Sequence, residues 1–289
     1  MKNRNAALRR GSLVQRLALA PYSFWAVLFI VVPLFFIAFY AFTDEELHFT
    51  TENMRYIFTY KTDENASLPF YVTIFFRSFK LSAISTVICL LLGYPLAYRI
   101  AHASPRMQSI LITVILIPMW MNFLLRTYTW RMIMLDKGIL NTYLGKLSLG
   151  PIHLINTEAA VIIGMVYDYL PYMILPIYSV MAKMDPKLLE AARDLGCNGF
   201  GVLRRVIWPL SLPGVISGIN MVLIPSVSTF YISQKLGGKS NRLIGDEIED
   251  LIYYNRNLNR AAAIAFVMMV LLLIFMAILQ HRANKRAVA

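Results

Sequence analysis

DPKLLEAARDLGCNGFGVLRRVIWPLSLP, residues 185–213, is charged and amphipathic, and a long apolar block lies on either side of it. Asp185-Pro186 reads as a helix start, because Asp accepts a hydrogen bond from an orphan N–H and proline suits the first helical position. Leu188, Ala192 and Leu195 recur at i, i+4 and i+7, one apolar stripe with Lys187, Glu190, Arg193 and Asp194 off it. Gly196 predicts the end of that helix. Phe200, Leu203 and Ile207 set a second short period around Arg204 and Arg205, and Pro209 and Pro213 predict its end. The expected product is a knob of two short helices, too short and too charged to cross a bilayer. Periodicity leaves two uses for its apolar stripe open: lying on a lipid interface, or docking into the groove of a soluble partner.

Outside this stretch the chain is built for a membrane. Its 289 residues are 58% hydrophobic and 15% charged, against about half and a quarter in soluble domains. The net charge of +12 suits loops held against an anionic leaflet. The basic residues are interrupted by apolar blocks and form no single face, which argues against nucleic acid. Cys89 lies in an apolar run and Cys197 in the knob, so no disulfide framework is expected. His48, His102, His153 and His281 have no ligand spacing, so no metal site is expected either.

Six spans are predicted, at about 22–42, 71–99, 107–125, 159–181, 214–233 and 261–279. Residues 1–20 form a basic leader with Lys2, Arg4, Arg9, Arg10 and Arg16 and no acid. The apolar run after it is too long for a signal peptide and lacks a cleavage site, so it reads as an uncleaved first span. Segments 1–20, 99–106, 183–213 and 281–289 hold 15 Lys/Arg, against 10 in 43–70, 131–158 and 234–260, which places the first group inside. The fold class expected is therefore an all-α integral membrane protein with one transmembrane domain (21–280), a cytoplasmic knob (183–213) and both termini cytoplasmic.

Glycine and proline divide the spans. The sixth has neither and suits a lipid-facing position, whereas the third, fourth and fifth carry prolines together with Trp120, Asn122, Tyr167, Asp168, Asn220, Ser226 and Ser228. Such breaks suit a pathway or a helix–helix seam, or they merely kink the helices. Asp168 is the one acid well inside a predicted span. A charge at that depth costs about 2.5–3.5 kcal/mol on insertion scales, so it requires a partner or a wet cavity. No nucleophile–base constellation and no phosphate-cradling G-x-x-x-x-G-K-[ST] is present, so neither catalysis nor ATP binding is expected of this chain.

Glu190-Ala191-Ala192, three further residues, Gly196, nine more, Val206, one more, then Trp208-Pro209 resemble the EAA loop of ABC importer permeases. Val206 stands at the family's Ile position and Trp208 at its Leu. LLGYPLAYRIA (91–101), IPMWMNFLLRTYTW (117–130), KGILN (137–141) and AVIIGMVYDYLPYMILPIYSV (160–180) extend the similarity, over roughly residues 70–245, to PotB-type permeases of spermidine/putrescine importers. YYNRNLNRAA (253–262) departs from the pattern, since relatives often carry an aromatic, a Trp-Pro pair and Gly-Ala-Ala there.

The resemblance implies a MetI-like, type I ABC importer permease in a bacterial inner membrane. It implies pairing with a second, PotC-type permease, docking of two cytoplasmic ATPase subunits that carry the ATP and Mg, and delivery by an extracytoplasmic substrate-binding protein. Glu190, Ala191, Ala192, Gly196, Val206 and Pro209 would couple to the ATPase. Asp168, between Tyr167 and Tyr169, would meet a polyamine by charge and cation–π contact. The alternative for Asp168 is an ion pair with Arg126, Arg131 or the partner permease. Trp120, Asn122 and Tyr128 are further pathway candidates. Alternative cargoes of the same fold are phosphonate, thiamine or ferric iron, with Arg126 and Arg131 suiting an anion. A receptor or scaffold with a non-ATPase partner is the reading outside transport, and a membrane enzyme lacks its clustered groups.

Overall fold

The computed structural model describes residues 20–61 and 68–288. Apart from one isolated antiparallel bridge between Thr43 and Phe49, the described residues are helix and loop. Helix α1, Ala20–Ala41, contains a π turn at Val27–Val31. Short α2, Glu52–Thr59, leads to α3, Phe70–Ala101. Then come α4 (Pro105–Trp120), α5 (Phe123–Met134) and α6 (Ile139–Lys146), followed by α7 (Glu158–Met181) and α8 (Pro186–Asp194). Helix α9 runs over Gly199–Val227 with a π turn at Leu203–Ile207. A further π turn, Ser233–Gly237, precedes α10 (Ile244–Tyr253), and α11 (Leu258–Val288) follows.

Five helices are long and apolar enough to cross a membrane: α1, α3, α7, α9 and Leu258–His281 of α11. The third predicted span is different. Its helix stops at Trp120 instead of running to residue 125, and the chain resumes at Phe123 after a 90° bend, so a sixth crossing exists only if this bent pair counts as one. The cause is local. Met121 is extended, and the Asn122 side chain accepts from the Leu124 N–H, starting a new helix.

The fifth predicted span is also displaced. It starts before residue 214 and ends at Val227 rather than at 233. Pro209 and Pro213 do not terminate the knob's second helix, which continues through both into α9. The Ser211 and Ser217 hydroxyls donate to the Trp208 and Pro213 carbonyls within this continuous run.

Helix α7 lies at the centre, packed on α3 and α9. Its Met165, Met173, Ile174 and Ile177 are buried with Leu81 and Cys89 of α3 and Val215 and Val222 of α9. Backbones come close at Gly214, where a Cβ would stand 2.8 Å from the Pro176 carbonyl oxygen. A second core joins Ala41, Ile57, Tyr71 and Ile74 to Ile244 of α10 and Ile264 of α11. The segment 234–260, between the last two predicted spans, thus contributes a helix and buried apolar side chains to this core.

Candidate functional site

Two regions carry the candidate residues. The first is the knob. The Asp185 side chain caps α8 by accepting from the Lys187 N–H, at 3.0 Å. Gly196 turns the chain at φ +83°, a left-handed conformation in which side chains strain the backbone. Asn198 then caps the next turn through the Gly201 N–H, at 2.8 Å. The anticipated stripe of Leu188, Ala192 and Leu195 is split. Ala192 is buried, whereas Leu188 and Leu195 are exposed, Leu195 to 86%. In the second period Ile207 is buried and Phe200 is exposed. The inward face is instead formed by Leu189, Ala192, Val202, Leu203, Val206 and Ile207. The knob therefore satisfies its own packing and still presents Leu188, Leu195 and Phe200 to its surroundings, with Glu190, Ala191 and Gly196 exposed among them. Trp208 packs against Tyr94 of α3, ring centroids 5.1 Å apart, and the Tyr94 and Ser211 hydroxyls are 3.0 Å apart. The knob is thereby tied to two of the three central helices.

The second region is the bend between α4 and α5. Arg126, on the first turn of α5, and Asp168, in mid-α7, are both buried, with Nε of Arg126 3.3 Å from Oδ1 of Asp168. The N–H is not aimed at that oxygen: Nε and Nη1 of Arg126 and Oδ1 of Asp168 make no hydrogen bond among the described residues. The Thr127 hydroxyl reaches Oδ2 at 3.5 Å. The pair is thus held by charge, with directional bonding left incomplete. Tyr169 points its hydroxyl at the Pro225 carbonyl of α9, 3.3 Å away, and Tyr167 packs edge-on against Trp130 at 5.1 Å. Trp120, Asn122 and Tyr128 lie exposed around the bend. The structure brings Arg126 to Asp168, so this acid lies beside one of the ion-pair partners weighed for it and Arg126 is not a free cation.

Two features have no counterpart in the sequence reading. Asn259, in the segment that departs from the family pattern, is buried and its side-chain amide donates to the Thr43 carbonyl at 2.7 Å and to the Asp44 carbonyl at 3.1 Å. It ties α11 to the end of α1. Asp246 and Glu247 are buried in α10. Asp246 accepts from the Leu243 N–H at 2.6 Å, closing the start of the helix, and Arg242 pairs with Glu247 at 3.2 Å and with Asp250. Burial pushes the Asp246 carboxyl up to about 7 and raises that of Glu247. The signal available in the sequence was Asp three residues after Leu243, a first-turn acid next to a buried apolar residue.

Residues 5–289 match the family model described as a binding-protein-dependent transport system inner membrane component. The chain belongs to that family. The permease is 38% identical over 276 residues to the spermidine/putrescine transport system permease protein PotB of Haemophilus influenzae, covering 94% of each chain. It is 37% identical over 230 residues to PotB of Escherichia coli, covering 78% of this permease and 82% of that protein. A solved bacterial alginate ABC transporter, in complex with an alginate pentasaccharide-bound periplasmic protein, shares the permease's fold with a TM-score of 0.78 at 14% identity, covering 97% and 96% of the two chains. At that identity the likeness speaks to fold alone. The permease is accordingly a non-enzymatic inner-membrane subunit of a binding-protein-dependent transporter, with an ABC importer fold.

Proposed function

We propose that this chain is one of two permeases of an ATP-driven polyamine importer, oriented with both termini and the knob in the cytoplasm. The observation that carries the cargo class is its end-to-end similarity to PotB. The coupling role is supported by the knob, which presents Leu188, Leu195 and Phe200, and on another side of α8 Glu190, to its surroundings. A short helix with exposed apolar side chains and carboxylates fits a groove on a soluble ATPase subunit, helix in groove. A PotC-type permease supplies the other half of the pathway, and a binding protein delivers the cargo from the opposite side. Trp120 and Tyr128, exposed beside the bend, are placed on the pathway wall, where aromatic faces meet ammonium groups. Asn122 shapes that wall by capping α5. Asp168 acts one layer behind, holding Arg126 and hence the bend, and Tyr167 and Tyr169 fix α7 in position.

The test is ATPase activity of the reconstituted complex with its binding protein. Spermidine or putrescine is expected to stimulate hydrolysis and non-polyamine solutes to leave it at the basal rate. Glu190→Lys should abolish stimulation while the permease remains in the membrane. Stimulation by phosphonate or thiamine but not by polyamines would refute the cargo, and normal stimulation in Glu190→Lys would refute the docking role.

A further inference from the structure

At the end of α3 remote from the knob lies a cavity of about 330 Å³. Arg77, Lys239 and Arg242 line it with the hydroxyl-bearing Thr73 and Ser240, and none of its lining residues is acidic. Arg77 is held in place by donating to the Ser240 carbonyl at 2.6 Å. The charge of Arg242 is balanced by Glu247 and Asp250, but among the described residues no carboxylate pairs with Arg77 or Lys239. Two uncompensated cations in one concavity call for an anion, and they disfavour a polycationic cargo by like-charge repulsion.

Depth indicates which anion. Helix α3 has 32 residues, about 48 Å at ~1.5 Å per residue, against a hydrocarbon core of about 30 Å. Each end of a centred helix therefore extends some 9 Å, about six residues, into the headgroup layer. Thr73 and Arg77 fall in that layer or at its inner edge. Below them, past the Lys80–Glu158 ion pair on the same side of α3, Ile84, Val87 and Leu91 form an exposed apolar stripe at helical spacing. Charge at headgroup level above an exposed apolar stripe is the outline of a phospholipid standing beside the helix. Arginine matches phosphate oxygens by its fork of donors and lysine by its point charge.

We propose that the Arg77–Lys239–Arg242 cavity binds the phosphate of an anionic phospholipid, with an acyl chain along Ile84, Val87 and Leu91 below the Lys80–Glu158 pair. This lipid braces the start of α3 against the loop before α10. The test is native mass spectrometry of the delipidated, detergent-purified transporter complex titrated with phosphatidylglycerol, phosphatidylcholine or inorganic phosphate. Phosphatidylglycerol is expected to bind on the order of tenfold more tightly than phosphatidylcholine, and Arg77→Gln with Lys239→Gln to remove that preference. Lys239→Glu, at an exposed loop position, should weaken the preference on its own, while Arg77→Lys with Lys239→Arg should keep it. Equal binding of the two lipids, or a preference that survives both Lys239→Glu and the double glutamine variant, overturns the proposal. Displacement of phosphatidylglycerol by an equal concentration of inorganic phosphate makes this a free-anion site. Displacement by the substrate-binding protein makes it a protein contact. Either result also overturns the proposal.

Discussion

Arg126 and Asp168 are buried next to each other with incomplete hydrogen bonding, so each depends on the other for neutrality. Removing one partner strands a charge away from water, a loss of about 3–5 kcal/mol, whereas replacing both by apolar side chains of similar size is close to neutral. Asp168→Leu and Arg126→Met are therefore each expected to lower the thermal unfolding midpoint of the detergent-purified permease sharply. The double variant should recover most of the loss. A double variant as unstable as either single one would show that the pair is not what holds the bend. The sequence disclosed that Asp168 needed a partner, and Arg126 was among the candidates. Selecting between them required the bend at Met121-Asn122. Hydropathy hides that bend, because Ile117–Leu125 reads as an almost unbroken apolar run. The audible signal was Asn122, a capping residue at the start of a helix rather than a polar residue inside one.

At the scale of elements, what hydropathy measures was legible and what packing decides was not. Spans over α1, α3, α7 and α11 follow from apolar length alone. The ends of α9 do not, because proline was read as a terminator where the helix runs on through it. The split of Leu188 and Leu195 from Ala192 was equally out of reach. Periodicity identifies a stripe, but which edge of it is covered depends on what lies beneath. The α7–α9 seam offers a direct check. A methyl group on Gly214 meets a backbone carbonyl, which cannot rotate away as a side chain can. Gly214→Ala is expected to cost about 1–3 kcal/mol and to lower the unfolding midpoint. The same change at Gly145, where the space is open, should leave it almost unmoved.

For the molecule as a whole, α10 joins two cores, since Leu243 belongs to the central one and Ile244 to the one around α11. Its Asp246 is the titratable group through which pH reaches that junction. Burial raises this carboxyl to about 7, Glu247 adds to the rise, and the Leu243 N–H, the Ser233 hydroxyl and Arg242 oppose it. In the unfolded chain the same group titrates near 3.8. Between these values the folded permease keeps a proton that the unfolded chain has released, so the stability from this group falls as pH rises from about 4 to about 7 and levels off above. Asp246→Asn retains an acceptor for the Leu243 N–H and carries no charge. It is expected to flatten the decline in unfolding midpoint between pH 5 and pH 8, and an unchanged slope would mean that Asp246 does not govern it.

The π turn at Leu203–Ile207 sits between the exposed Phe200 and the start of the membrane-spanning length of α9. A wide turn of this kind holds one residue more than an α turn, and one residue in an α-helix is worth about 100° of rotation. The turn thus works as a phase setter: it fixes the compass bearing of the knob relative to the bundle without altering either helix. Removal of one residue from 203–207 would absorb the bulge and keep the bearing. Were the segment instead to close into regular α-helix with all its residues kept, the knob would swing by roughly that angle. The bundle would still be built, and the docking face proposed for the knob would point the wrong way.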